Sequence, residues 1–267
     1  MKLSQPDPLL LHTDAGEAAR TLADQGFALL APEVLAGWVA GRGVADPEAA
    51  LESFATHWQN LPADAYLRDG GRYRYRRHAS LIQRAAQGDA ELQPHRAHWQ
   101  PTTYNALHGG IERWFEPVEA GMLASPAWQA LIAPLGQLFG EAESLRGLPR
   151  PDWFIEAHTF RIDTRNGVGR PTPEGAHRDG VNYVAVVLVR REGIIGGESR
   201  VFDADGPHGL RFTLESPFSV LLLDDRRVIH ETTPIQPGEQ PGARDTFVIT
   251  YRTGGFQDPL PDDERQA

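Results

Sequence analysis

Gly175-Ala176-His177-Arg178-Asp179-Gly180 is the stretch around which the rest of the chain is read. It lies between a loop punctuated by proline and glycine, residues 167–175, and Tyr183–Val189, the longest clean apolar run. On an extended backbone residues two apart face the same way, so His177 and Asp179 aim at one point. Gly180 then lets the chain bend away from it. A His-x-Asp/Glu pair carries little weight alone: with 10 histidines and 36 acids, about one or two arise by chance. The chain holds two. The other, His12-Thr13-Asp14, sits in a proline-bearing arm ahead of any strand, where nothing is expected to hold the ring. A rigid sheet beside a loop is the usual mount for metal chemistry, which favours the pair at 177–179.

A third ligand is expected from a distant strand. His230 follows the apolar run Leu221-Leu222-Leu223 and the polar turn Asp224-Asp225-Arg226-Arg227, and it opens the next strand, 228–235. An ordinary core or turn histidine is an equal reading of that residue alone. His158 also lies on a strand but has no acid two residues after it. Two imidazoles and one carboxylate, with positions left open, form the ligand set of non-haem Fe(II) oxygenases. Three open positions suit a chelating 2-oxoacid and O2. The distal carboxylate of such a cosubstrate calls for a fixed cation, and arginine binds carboxylates bidentately. Arg244 is placed for this by the turn Pro237-Gly238…Pro241-Gly242, which is expected to return strand 244–252 beside His230. Thr246, on the same face by period two, adds a hydroxyl. The alternative is a surface arginine closing a turn.

Outward from the site, the pattern divides in two. Ala18, Ala19, Leu22 and Ala23 recur at helical spacing from Ala15, and Gly26 is placed to stop that helix. Phe27–Leu30 reads as a short strand, Pro32 as the first turn of a second helix, and Asp46-Pro47 as the cap and start of a third, running to about Asn60. Arg72-Tyr73-Arg74-Tyr75-Arg76 alternates as a strand, with its arginines expected on a solvated face. Trp99–Gly110 reads as irregular, with helices resuming over 111–123 and from Ser125-Pro126 to about Ser144, and with Trp114, Phe115 and Trp128 in a helix core. From Trp153 short β-rich runs alternate with Gly, Pro and Asp turns: 154–162, 181–189, 199–202, 219–223, 228–235 and 246–252. Gly196-Gly197 reads as a tight hairpin turn. The fold class expected is α+β: helices, mainly in an N-terminal part of about 15–146, around a sandwich or jelly roll over about 150–255. No linker interrupts the chain, so residues 1–267 are expected to form one domain.

Composition narrows the function. The net charge of −10, with no basic stretch beyond Arg72–Arg77, argues against nucleic acid, which needs a concentrated positive face. The absence of cysteine excludes disulfides and thiolate metal sites. The opening MKLSQPDPLLLHTD lacks an apolar core and cleavage site, and no run is long enough to span a bilayer, so a soluble cytoplasmic protein without a membrane partner is expected. Its oligomeric state is left open.

Four stretches together carry a resemblance: residues 173–180 (PEGAHRDG), Arg190 through Gly196-Gly197-Glu198-Ser199, residues 224–230 (DDRRVIH), and Arg244-Asp245-Thr246-Phe247. From about Trp99 to Arg252 the chain resembles the Fe(II)/2-oxoglutarate dioxygenases that hydroxylate free L-amino acids, the isoleucine, leucine and pipecolic acid hydroxylases. The resemblance implies a double-stranded β-helix, Fe(II) held by His177, Asp179 and His230, and 2-oxoglutarate anchored by Arg244. It also implies O2 as cosubstrate and a role in specialised metabolism. In such enzymes oxidative decarboxylation of 2-oxoglutarate to succinate and CO2 drives hydroxylation of an unactivated C–H. A carboxylate at 179, where a halide would otherwise sit, favours hydroxylation over halogenation. The substrate expected is a branched or cyclic amino acid, with Arg178 as the first candidate for its carboxylate. On a regular strand, however, Arg178 points away from the pair, and its role depends on a bend at Gly180 that brings it round. Gln100, Thr102 and Asn105 are polar candidates for the remaining contacts, with ordinary loop bonding as the equal alternative. A dioxygenase acting on a peptide or carrier-tethered substrate, and a non-catalytic jelly-roll binding protein, are the rival functions.

Overall fold

The computed structural model describes residues 10–105 and 107–259. In chain order the strands are β1 (Leu11–His12), β2 (Phe27–Leu30), β3 (Arg74–Gln83), β4 (Glu91–Leu92), β5 (Trp153–Asp163), β6 (Tyr183–Glu192), β7 (Ile194–Gly196), β8 (Ser199–Asp203), β9 (Gly209–Phe212), β10 (Val220–Asp224), β11 (Val228–Thr232), β12 (Ile235–Pro237) and β13 (Ala243–Arg252). The helices are α1 (Ala15–Gln25), α2 (Pro32–Ala40), α3 (Pro47–Ala55), α4 (Ala120–Leu123) and α5 (Pro126–Leu145), with a 3-10 turn over Thr56–Asn60.

The helix signals act as read. The Asp14 carboxylate caps α1 by accepting from Glu17 N–H, and Gly26 ends it in a left-handed conformation at φ 86°. Asp46 caps α3 in the same way, with Pro47 in its first turn. Two expectations fail here. Residues 111–119 are not helical; only Ala120–Leu123 are, and Trp114 stands 54% exposed while Phe115 and Trp128 are buried. Within the expected loose arm, Leu11–His12 pairs in parallel with Leu29–Leu30 and so extends the sheet; residues 1–9 lie outside those described.

Eight strands form one sheet in the order β1-β2-β10-β6-β13-β5-β3-β4. A smaller layer holds β11-β8-β9 and the pair β12-β7. Single bridges join the loop before β6 to this layer: Gly169 to Ile235, and His177 to His230. This is a jelly-roll core with flanking helices. The alternation along β6 explains its all-apolar run. Tyr183, Ala185, Val187 and Val189 pack with Leu22, Phe54, Trp128 and Phe139 of the helices. Val184, Val186 and Leu188 instead pack with Leu221, Leu223, Val201 and Val228 on the side of the smaller layer. A strand buried on both faces has no polar face to show.

The same period two organises the inner face of the large sheet. Register places Arg74 opposite Ile162 and Ile162 opposite Arg244; the next rows are Arg76–Phe160–Thr246 and His78–His158–Val248. These rows form one wall of the cavity described next.

Candidate active site

His177 and His230 exchange both backbone bonds across their bridge, at 3.0 and 2.9 Å. Their rings consequently lie 4.6 Å apart. Asp179 reaches both: its Oδ1 is 3.8 Å from His177 Nε2, and its Oδ2 is 3.7 Å from His230 Nε2. The three donor atoms lie within 4.8 Å of one another, close enough for a single ion to be shared. His177 Nδ1 bonds the Gly175 carbonyl at 3.0 Å, which puts the proton on Nδ1 and leaves the Nε2 lone pair toward the common point. Burial alone would lower the His177 pKa, but the charges of Asp179 and Glu174 outweigh it and raise it. Burial, then the neighbouring His177, holds His230 well below the usual imidazole range. Two imidazole nitrogens and one carboxylate suit Fe(II).

His230 lies in the middle of β11 rather than at its start. His177 sits in a loop with one bridge, not in a continuous strand. What holds that loop is Asp225. Its Oδ1 accepts from Asp179 N–H at 2.9 Å, and its Oδ2 from the N–H groups of Gly180 and Val181 at 2.8 and 3.1 Å. Gly180 has φ 77°, and a Cβ there would collide with the Tyr104 ring and with Gln257 Nε2. Gln257 in turn donates to the Gly180 and Asp179 carbonyls at 2.7 and 3.2 Å.

The triad opens into a cavity that Arg244 and Thr246 also line. The strand bearing Arg244 is not paired beside β11, as the turn at 237–242 suggested; it runs between β5 and β6 in the large sheet. The neighbours of β11 are β8 and His177, so the chain crosses after β12 and Arg244 faces the triad from the opposite layer. Arg244 is 4% exposed, and its Nη2 is buried without a partner. Burial, then the nearby Arg191 charge, pushes its pKa down to about 10. Such a group fits an incoming carboxylate.

Of the polar candidates, Gln100 and Asn105 are buried and line the cavity. Gln100 Nε2 donates to Asp179 Oδ1 at 3.3 Å, and Asn105 Nδ2 donates to Gln100 Oε1 at 3.2 Å. Thr102 is exposed and outside the lining. Arg178 is outside it as well; its guanidinium lies 5.9 Å from the Tyr104 ring, and its Nη1 reaches the Arg226 carbonyl at 3.5 Å. Gly180 bends the chain without bringing Arg178 round.

Arg74 and Arg76, expected on a solvated face, are instead 6% and 4% exposed and line the cavity. The alternation is present, but the face that carries Arg74 and Arg76 is the inner one, which a run of arginines does not signal. Arg76 is sandwiched between the Phe115 and Phe160 rings at 3.7 and 4.2 Å. Arg113, His98, Glu156 and His158 complete this wall. Glu156 Oε1 bonds His78 Nε2 and His98 Nδ1 at 3.2 and 3.1 Å. His78, His98 and His158 also lie close enough to share an ion. However, Arg76 Nη2 sits 2.7 Å from His158 Nδ1 and can only donate, so His158 carries its proton on Nε2. That leaves His158 no lone pair for a metal, and a guanidinium beside it repels one.

A family model described as 2OG-Fe dioxygenase matches residues 55–250. The chain belongs to this family. These dioxygenases use Fe(II), 2-oxoglutarate and O2. Among solved structures, this dioxygenase is similar to a BsmA homologue from Methylobium petroleophilum, at 51% identity over 96% of this chain and 100% of that one, with a TM-score of 0.85. It shares a fold with IDO from Bacillus thuringiensis, at 18% identity over 96% and 99% of the two chains and a TM-score of 0.72. It does so too with the Fe(II)/α-ketoglutarate-dependent dioxygenase TqaL, at 17% identity over 90% and 86%, TM-score 0.66. No curated protein matches it. Among the described residues no helix is long and apolar enough to cross a membrane.

Proposed function

We propose that this dioxygenase hydroxylates an unactivated C–H of a free L-amino acid, with Fe(II) held by His177, Asp179 and His230. The observation that carries the reading is one cavity that brings together the triad, a buried arginine with an unsatisfied guanidinium nitrogen, and a second polar wall. Bound iron supplies O2 activation coupled to decarboxylation of 2-oxoglutarate. The overall balance is substrate, 2-oxoglutarate and O2 to hydroxylated substrate, succinate and CO2.

The residues divide the labour. Arg244 receives the distal carboxylate of 2-oxoglutarate, and Thr246, one row along the same face, offers its hydroxyl. Gln100 bonds Asp179 Oδ1 and so fixes the carboxylate's orientation. Val186 and Val248 line the cavity between the layers and limit water there. A free amino acid is favoured over a tethered or peptide substrate because the polar lining groups Gln100, Asn105, Arg113, His98 and His158 are all under 9% exposed. Such a lining offers donors and acceptors at the depth where the two ends of a small zwitterion would sit.

The test is anaerobic loading with Fe(II), then addition of O2, 2-oxoglutarate and a panel of free L-amino acids including L-pipecolate. Succinate and a product heavier by one oxygen are expected with at least one amino acid, and His177→Ala is expected to abolish both. If succinate forms but no free amino acid is oxygenated, the substrate class is wrong. If no succinate forms under any condition, the enzymatic reading falls.

A further inference from the structure

Arg113 is held by a two-bond bridge to His98, with both backbone N–H···O distances at 2.9 Å. Its side chain is 2% exposed and lines the cavity. Among the described residues no carboxylate lies within ion-pair distance of it. The nearby acids are committed elsewhere: Asp64 pairs with Arg74 at 2.7 Å and approaches Arg76 at 3.9 Å, while Glu156 is shared by His78 and His98. Arg113 makes one side-chain bond, Nη2 to Gln100 Oε1 at 2.8 Å, and its Nε is buried without a partner. Burial, then repulsion from Arg74, pushes its pKa down to about 10. Arg74 Nη2 and Arg76 Nε, on the same wall, are likewise buried and unpartnered. Three guanidiniums share this low-dielectric wall with two carboxylates, Asp64 and Glu156, neither of them paired with Arg113. The excess positive charge is costly, and an anionic ligand relieves that cost.

We propose that Arg113, flanked by Arg74, binds the carboxylate of the organic substrate, at a place separate from the Arg244 site for 2-oxoglutarate. This deepens the amino-acid reading above and rests on it for the chemistry, though not for the binding. The other arginines near the triad are worse placed. Arg178 lies outside the cavity. Arg76 is committed to two aromatic faces and to His158, so it shapes the wall rather than turning toward a ligand.

Gln100 sets the distance. Its oxygen accepts from Arg113 and its nitrogen donates to Asp179, so a single amide separates the anion clamp from the triad. Two hydrogen bonds and one amide group span at most about 8 Å. A substrate whose carboxylate sits on Arg113 therefore presents carbons a few bonds away toward the triad. The clamp selects for an acid and fixes which carbons of that acid come within reach. Glu174 lines the same cavity with an unpartnered Oε2, and provides an acceptor for a substrate ammonium.

The test compares each L-amino acid of the panel with its primary amide, on the wild-type protein. Binding to the metal-free protein is followed by calorimetry, and turnover of the Fe(II)-loaded enzyme by product mass. Every acid that binds or reacts is expected to lose at least 100-fold when amidated. Arg113→Gln is expected to lose a similar factor toward the acid while still forming the coloured Fe(II)–2-oxoglutarate complex, and Arg113→Lys to recover part of it. Amides equal to acids, no acid of the panel binding, or Arg113→Gln binding within threefold of wild type would each overturn the clamp. Acids that bind tightly without oxygenation would instead sink the catalytic reading and leave the clamp standing.

Discussion

Replacing Arg244 by methionine separates stability from binding, because the two should move in opposite directions. In the ligand-free protein Arg244 is a buried cation with one repulsive charged neighbour, Arg191, and one attractive neighbour, Asp245. Burial and the Arg191 charge pull its pKa from 12.5 to about 10, and Asp245, the attractive neighbour, is engaged bidentately by Arg161 at 2.8 and 2.7 Å. At about 1.4 kcal/mol per unit, that depression corresponds to roughly 3 kcal/mol of penalty on the charged form. Methionine keeps much of the aliphatic stem and removes the charge, so Arg244→Met should be as stable as the wild type or up to about 3 kcal/mol more stable. The same change deletes a buried charge-assisted pair with the cosubstrate, worth about 2–5 kcal/mol, or about 30-fold to a few thousand-fold in affinity. Urea unfolding with and without 2-oxoglutarate and Fe(II) under argon reads both effects. At 100 times its Kd the cosubstrate should add about 2.7 kcal/mol to the wild type and little to the variant. A variant destabilised by more than 1 kcal/mol when ligand-free, yet stabilised as much as the wild type by 2-oxoglutarate, would refute the assignment.

Acid should weaken the fold through the histidine wall. Burial holds His98 down at about 4 against an ordinary 6.5, despite the opposing pull of Glu156, so the unfolded chain takes up the proton first. Stability is then full above about pH 6.5 and falls as the pH drops toward 4, by about 2 kcal/mol at pH 5 from His98 alone. His78 and His158 are lowered too and act in the same direction, so a urea midpoint that is flat from pH 7 to 5 would contradict the buried wall. Gly180→Ala forces a side chain into a left-handed backbone and against Tyr104. A loss of about 1–3 kcal/mol is expected, together with weaker Fe(II) binding by titration; a change under about 0.5 kcal/mol would show that the bend relaxes freely. Phe247→Ala removes a ring packed 5.5–5.9 Å from Phe54, Trp58 and Trp128, and thermal or urea unfolding should report a loss of about 3–5 kcal/mol; a loss under 1 kcal/mol would mean the helices do not depend on that face.

Local signals were legible wherever one residue decides the outcome. Gly26, Pro32, Asp46 and Pro47 end or start their helices as chemistry requires, and the strands after Trp153 fall within a few residues of the expected runs. His177, Asp179 and His230 could be singled out by the apolar run after 177–179 and the turn before 230. The ground given against His12 fails, however: Leu11–His12 is itself a strand of the sheet, and Asp14 is instead taken up in capping α1. What period two alone cannot say is which face is inside. Arg74 and Arg76 alternate as a solvated face would, and only the partners supplied by Phe115, Asp64 and His158 make their burial tolerable. Asp64 lies ten residues before Arg74, but Phe115 and His158 come from distant segments, and none of the three leaves a mark in the 74–76 pattern. Arg113 was hidden for a related reason: its stretch resembled a helix, whereas it is pinned by a bridge to His98. The pairing of β13 was missed because a turn gives the direction of return but not the layer returned to.

Asp225 belongs to the turn that leads into His230, yet its carboxylate captures three consecutive amides of the His177–Asp179 segment. The two halves of the triad, some fifty residues apart, are therefore tied by protein–protein bonds that owe nothing to an ion. Assembly of the pocket is completed by folding itself, and an arriving cation finds a cradle already made. Chelation should accordingly empty this protein without unravelling it, and iron lost to oxidation should be replaceable from solution without refolding.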